Sequence, residues 1–412
     1  MRRTTVTIAS LGIAAALTLS ACGSSGGNSK STGSAGGGST SSSSSSSSGG
    51  GGTATAECKL TSPPQSAAKA PSATTAIKAA GKVGVILPDT TSSTRYTLYD
   101  APLLKKAFTD AGATPDIQNA GGDVGKFKSI AQSMIGEGVK VLLMDSIDAS
   151  SGAAVEQLAT KAGVKVIDYD RVNLGGSAQY YVSFDNEDVG KLQAQTLVDC
   201  LNADGVKKPK IIMMDGGTDV DNNAVLFKKG AHEVLDPLVS AGKLTIGAEA
   251  VVKGWDVNNA APTFTQALTT TGKVDGVLAA NDDIANAVIG VLAKNGAAGK
   301  VVVTGQDSGV EGLQNIIQGK QSMTVFKDVK KYEANAAAQL ALALLSGKSP
   351  EQAGLTLTDF PDPKAPSHKI QALLLPTQVI TVSNVNDVIT AGALTKAEVC
   401  KGIAAACSKA GL

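Results

Sequence analysis

The stretch VKVLLMDSIDASSGAAVEQLATKAGVKVIDYDR, residues 139–171, reads as strand, helix, strand. Residues 139–144 and 164–169 are short, largely branched aliphatic runs, and 153–162 between them carries apolar residues at helical spacing. Two continuous apolar strands joined by a helix imply a parallel pair in a sheet covered on both faces. Outward from this unit the pattern recurs. Strands are expected over 83–87, 211–214, 274–279 and 301–304, and helices over 102–111 and 124–136. The alternation breaks near 184–186 and restarts near 210. The fold class expected is therefore α/β, with two doubly wound parallel-sheet lobes rather than one large sheet.

The strands end in polar residues. Asp89, Asp145, Asp170 with Arg171, Asp215, Asn281 with Asp282, and Asp307 each follow an apolar run. Ligands of open α/β sheets bind outside the carboxyl ends of the strands. Any one Asp or Asn there reads best as a helix N-cap. The whole set, with an arginine in it, reads as two polar rims that face a polar ligand. Carboxylates accept, Arg and Lys donate and Asn does both, which is the inventory a polyhydroxylated sugar needs.

The 412 residues carry a net charge of +1, which argues against a nucleic-acid partner. Residues 1–21 read as a signal peptide, with Arg2 and Arg3 before an apolar stretch too short to span a bilayer. It ends in LSAC at 19–22, which resembles a lipobox and makes Cys22 the expected lipidation site and membrane anchor. Residues 22–56 read as a flexible Ser/Gly linker and 57–81 as an N-terminal extension. Cys58, Cys200, Cys400 and Cys407 remain, an even number outside the cytoplasm, and are disulfide candidates. Three pairings exist; Cys400 with Cys407 closes a short loop and leaves Cys58 with Cys200. No metal site is expected, because neither His232 nor His368 lies near a cysteine pair. No cofactor is expected either. No G-x-G-x-x-G or G-x-S-x-G follows an expected strand, so the chain does not read as an enzyme.

The segments IDYDR (167–171), YVSFDN (181–186), VG (189–190), VDNN (220–223), KGW (253–255), AND (280–282), GQD (305–307) and MTVFK (323–327) occur in an order that resembles the D-xylose-binding proteins. These are substrate-binding subunits of ABC sugar importers, within the type I periplasmic binding family. The resemblance covers roughly 82–393. It implies the type I periplasmic-binding-protein fold, two lobes joined by a three-segment hinge. The lobes are placed at 82–184 with 328–352 and at 185–327 with 353–412, with crossings near 184–185, 326–328 and 348–355. It implies a monosaccharide ligand, D-xylose or another pentose or hexose such as arabinose, ribose or glucose. It also implies permease and ATPase partners and a monomer that closes around the sugar; a sugar sensor built on the same domain is the alternative. The ligand contacts it implies are Arg95, Tyr96, Asp170, Arg171, Asp221, Asn223, Trp255, Asn281, Asp307 and Lys327. Trp255 and Tyr96 supply aromatic walls, Tyr96 standing where the family more often has Trp. Taken singly, Arg95 reads as a solvated loop residue and Lys327 as surface, Asp170 with Arg171 reads equally as an ion pair or as ligand contacts, and Trp255, beside Lys253, Gly254 and Asp256, reads as core or as cleft.

Overall fold

The computed structural model describes residues 52–58, 60–69 and 77–412, all within one compact unit. The signal segment, Cys22 and most of the linker lie outside the described residues. Five strands come first, β1 (Lys82–Leu87), β2 (Thr114–Asn119), β3 (Val141–Met144), β4 (Lys165–Tyr169) and β5 (Tyr180–Phe184), interleaved with α1 (Ala101–Asp110), α2 (Val124–Gly136) and α3 (Ala149–Lys161). Helix α3 starts earlier than its apolar pattern suggested, because the Asp148 carboxylate accepts the Ser151 N–H and caps a more polar first turn.

Helix α4 (Asn186–Ala203) leads to β6 (Lys210–Asp215), α5 (Asn222–Ser240), β7 (Thr245–Val251), α6 (Ala260–Thr271), β8 (Gly276–Ala279), α7 (Asp282–Lys294), β9 (Val302–Val303), α8 (Val310–Ile317) and β10 (Thr324–Phe326). After these come α9 (Ala334–Leu345), β11 (Thr358–Phe360), β12 (Ile370–Leu375), β13 (Gln378–Ile380) and the short helices α10 (Asn386–Thr390), α11 (Lys396–Val399) and α12 (Ala404–Lys409).

The strands sort into two lobes. One sheet has the order β11-β12-β5-β4-β3-β1-β2, and the other β7-β6-β8-β9, extended by a Gln306–Val325 bridge to the β10-β13 pair. Alternate residues of one strand feed opposite cores. Val83, Val85 and Leu87 pack on one face of the first sheet and Ile86 on the other, as do Val141 and Leu143 against Leu142 and Met144. Burial on both faces is why these strands read as unbroken apolar runs. Helices α4 and α5 touch through their backbones, because a Cβ at Gly190 or Gly230 would run into a backbone carbonyl of the other helix.

The chain changes lobes after β5, after β10, and a third time between β12 and β13. That third crossing corrects the expected one at 348–355. Residues 353–375 belong with the first lobe, since β12 pairs parallel to β5 and β11 pairs with β12. The linker also stops short of its expected end at 56. Ala54 and Ala56 are buried, Gly52 N–H donates to Gly205 O at 2.8 Å, and Ala56 N–H to Gly299 O at 3.2 Å.

Cys58 is bonded to Cys200 and Cys400 to Cys407. The segment after Cys58 continues along the second lobe. Leu60 O accepts from Ser383 Oγ, Gln65 bridges Gln378, and Ser66 Oγ donates to Asp188 at 2.7 Å. It then reaches the first lobe, where Ile77 joins the core.

Candidate functional site

The ten residues singled out as ligand contacts line one cleft between the lobes. The first lobe contributes Arg95, Tyr96, Asp170 and Arg171. Arg95 precedes a short π-helical turn, Tyr96–Asp100, and is buried rather than solvated. Its Nε donates to Asp100 Oδ2 at 3.0 Å, its Nη2 to Asp100 Oδ1 at 2.7 Å and to Glu333, and its Nη1 to Asp170 Oδ1 at 3.3 Å. Tyr96 donates its hydroxyl to Asp170 Oδ2 at 2.9 Å. The guanidinium carbons of Arg95 and Arg171 lie 5.7 and 5.9 Å from its ring centre, within cation–π range. The ring is thus engaged by two arginines, which is a different use from the open stacking wall expected of it.

Asp170 and Arg171 do not form an ion pair with each other. Arg171 donates Nη1 to Ser146 O and Nη2 to Ser92 Oγ, both at 3.2 Å. Its Nε lies 3.6 Å from Asp145 Oδ1 and 3.5 Å from Asp221 Oδ2.

The second lobe supplies the opposite wall. Asp221 caps α5 through the Asn223 N–H at 2.8 Å and accepts from Trp255 Nε1 at 3.0 Å. Asn223 reaches across to donate Nδ2 to Asp170 O at 2.8 Å. Trp255 serves as both core and cleft wall. Its ring lies on the Gly216-Gly217 backbone, where any Cβ at Gly216 would collide with it, and Phe227 meets it edge-on with centroids 6.3 Å apart. Asn281 likewise combines two roles, accepting the Ile284 N–H at 3.0 Å as an N-cap and donating Nδ2 to Ser92 O at 3.2 Å. Asp307 accepts from Ser93 Oγ at 2.9 Å, another bond between the lobes. Lys327 is buried at the second crossing, 3.7 Å from Asp307 Oδ1 and over the rings of Phe184 and Phe227.

Ser92, Ser93, Phe227 and Gln306 also line the cleft and were not named as contacts, although the resemblance set the segment 89–94 on one wall of the pocket. Gln306 carried a signal of its own, its place inside GQD. The space between the walls is about 30 Å³, room for a water or two. A larger ligand therefore enters only when the lobes part. Backbone strain concentrates here: of five non-glycine residues with positive φ among those described, Asp170, Trp255 and Asp307 line the cleft. Such strain gathers at ligand clamps.

Electrostatics divide the buried carboxyls. Burial pushes Asp170 up, but Arg95, Lys327, Arg171 and the Tyr96 hydroxyl outweigh it and bring the carboxyl down to about 2. Burial raises Glu333 to about 8, with Arg95 opposing and Asp170 and Asp100 adding. Burial also raises Asp282 to about 8 and, helped by Glu249, Asp215 to about 7.

These shifts set the sign of the pH dependence. In the unfolded chain carboxyls titrate near ~4. Between there and 7–8 the folded protein holds protons on Glu333, Asp282 and Asp215 that the unfolded chain has released, so stability falls as pH rises. Asp170 acts oppositely, and its contribution is lost only as pH falls from about 4 towards 2. The thermal midpoint of the ligand-free protein is therefore expected to be higher at pH 5 than at pH 8. A midpoint that climbs over that interval contradicts the assignment.

Two lobes joined by three crossings, with their strand ends facing a buried polar cleft, define the architecture of a two-lobed binding protein. The chain belongs to the periplasmic binding protein family, since residues 83–349 match the model of the periplasmic binding protein domain. It is 37% identical over 253 residues to the D-xylose-binding periplasmic protein of Escherichia coli (strain K12), covering 61% of this chain and 74% of that protein. It is 33% identical over 332 residues to the multiple sugar-binding periplasmic receptor ChvE of Rhizobium radiobacter, covering 77% of this chain and 92% of the receptor. Among solved structures, a carbohydrate transporter solute binding protein from Chloroflexus aurantiacus in complex with D-glucose superposes with a TM-score of 0.68 at 30% identity, covering 77% of this chain and 97% of the other. The fold is the two-lobed type I fold, as expected.

Proposed function

We propose that this chain is an extracytoplasmic solute-binding lipoprotein, held to the membrane through Cys22, that captures a neutral monosaccharide and delivers it to the permease of an ABC transporter. D-xylose is the first candidate sugar, with glucose and other aldoses next. The observation that carries this reading is the composition of the cleft. Arg95, Arg171, Asp170, Asn223, Asn281, Asp307 and Lys327 present opposed donors and acceptors from both lobes, beside the indole of Trp255. A sugar held by both walls replaces direct lobe-to-lobe bonds such as Ser93–Asp307 with bonds through itself. It favours the closed form because only that form offers it both sets of partners.

Relatives named for xylose, for several sugars and for glucose-bound structures support the ligand class. The Tyr96 side of the pocket is where the choice among aldoses is set. The Tyr96 hydroxyl takes up acceptor capacity on Asp170 that a ligand hydroxyl would otherwise use.

Trp255 is the sole tryptophan of the chain, so intrinsic fluorescence reports on this cleft alone. Titrating a soluble protein that keeps the packed segment from Gly52 onward with D-xylose is expected to change the emission saturably. A flat signal with xylose, arabinose, ribose and glucose, from protein that is folded by circular dichroism, sinks the assignment.

A further inference from the structure

We infer that a groove between the lobes, on the side of the first turn of α5 away from the cleft, is a second ligand site that takes a small organic ammonium with an apolar body, and that filling it tightens sugar binding. The site stands apart from the sugar reading; only the coupling rests on it. The groove holds about 450 Å³, within the range of small-molecule sites. Leu174, Phe360 and Leu374 of the first lobe and Leu226 of the second lie half-buried in its walls and suit a ligand's apolar part.

The polar side calls for a cation. Asp185, Glu187 and Asp188 stand at the start of α4, and Asp359 lines the groove from the first lobe. Lys191, the one cation among the lining residues, is held by Glu187 and Glu233, and Asp359 is paired with Lys369. Asp185 and Asp188 enter no ion pair among the described residues. Burial pushes the Asp185 carboxyl up, the Asp188 N–H opposes this, and the charges of Asp188 and Glu187 add to it. A bound cation relieves that load. The groove also offers an acceptor. Asn223 Nδ2 donates to Asp170 O, so its Oδ1 must accept from Asn186 Nδ2, 2.9 Å away. That fixes the Asn186 amide. Its Oδ1, on a residue 2% exposed that lines the groove, receives no hydrogen bond. A buried acceptor left unmade is costly, and an ammonium brings several donors.

Groove and cleft share a wall. Asn222 and Leu226 line the groove, while their neighbours Asn223 and Phe227 line the cleft. The Tyr181 hydroxyl, also at the groove, lies 3.1 Å from both Asp170 O and Asn223 Oδ1 and accepts from Asn186 Nδ2 at 3.2 Å. A ligand that touches Phe360 and Leu226 together holds the lobes at the separation at which the cleft is closed. Ammonium and sugar then favour the same state, and each raises the other's affinity by the same factor.

Calorimetry with 2-phenylethylammonium, neutral 2-phenylethanol and anionic phenylacetate tests the site in the absence of sugar. The ammonium is expected to bind about tenfold more tightly than the alcohol, and phenylacetate more weakly than either. Asp185→Asn keeps the helix cap and loses the charge, so most of the preference for the ammonium should vanish. Leu226→Lys places a fixed cation in the groove and should abolish ammonium binding. Saturating ammonium is expected to raise the affinity for D-xylose about fivefold, and D-xylose to raise that for the ammonium equally. Three ligands that bind alike to the natural protein overturn the site, whether or not the variants fold. A preference that survives in both folded variants overturns it too. An ammonium that binds here and leaves D-xylose affinity unchanged or lowered overturns the coupling. If D-xylose does not bind at all, the sugar reading fails, and the three-ligand comparison still decides the site by itself.

Discussion

Arg95→Ala is expected to cost about 3–5 kcal/mol of folding stability, the range for removing one partner of a buried ion cluster, and to abolish sugar binding. The guanidinium is buried against Asp100, Asp170 and Glu333 at once. Asp170 keeps Lys327, Arg171 and the Tyr96 hydroxyl when Arg95 is lost. Asp100 keeps the Tyr169 hydroxyl. Glu333 keeps the more distant Lys327 and is already pushed up to about 8. The carboxyls left behind can escape the penalty only by binding protons. The variant should accordingly lose less at pH 5 than at pH 8, because protonation is cheaper in acid. Urea unfolding at the two pH values measures this, with an unchanged m-value showing that the unfolded state is the same. Arg95→Lys restores one charge without the fork, so it should recover part of the stability and little of the binding. A loss below about 1 kcal/mol, the size of an exposed pair, would falsify the picture of one arginine holding three acids together.

The same cluster shows what a sequence displays and what it hides. Strands β1, β3, β4, β6 and β8 were legible because burial on both faces forces a continuous apolar run. Edge strands β2 and β7 were not, although the buried edge strand β9 was read at 301–304. β2 reads TPDIQN and β7 reads TIGAEAV, and both are only partly buried, so polar residues and a proline are tolerated there. The third crossing was misplaced for a related reason. Pro350 and Gly354 mark a break that is only a turn inside the first lobe, whereas the true switch, at Pro376 and Thr377, is hidden between two apolar strands.

Strand-end position made part of the cleft visible, Asp170, Arg171, Asn281 and Asp307, because topology alone sends them there; the other six named residues came from the resemblance. Arg95 became a candidate through resemblance only; its burial depends on Asp100 and Glu333, which lie on helical segments and not at strand ends. Ser92 and Ser93 sit in a Ser/Thr run that looks like any loop. Phe227 falls on the apolar stripe of α5 and looks like any core residue. Its position beside Trp255 and Lys327 comes from packing, which no local pattern encodes.

The Cys58→Ser, Cys200→Ser pair should destabilise the protein about twice as much as Cys400→Ser with Cys407→Ser. The first bond joins residues 142 apart and the second residues 7 apart. Loop-closure entropy of the unfolded chain then gives roughly 5 and 2.5 kcal/mol respectively. A second effect adds to the first. The segment from Gly52 to Ala67 is held to the second lobe by few other bonds, among them Thr55 to Asp204 and Ser66 to Asp188. Farther along, Ile77 is fixed in the first lobe. The bond at Cys58 therefore makes this segment a fourth covalent path between the lobes, beside the three hinge crossings. Without it, the amides of Thr55 and Ala56, bonded to Asp204 and Gly299, should exchange with solvent well before those of α4, which keep their own helical bonds. Denaturant midpoints and hydrogen exchange on the two double variants separate these contributions. Equal losses in the two variants would show that loop length does not govern the effect. Slow exchange at Ala56 in the first variant would show that the segment is held without its disulfide.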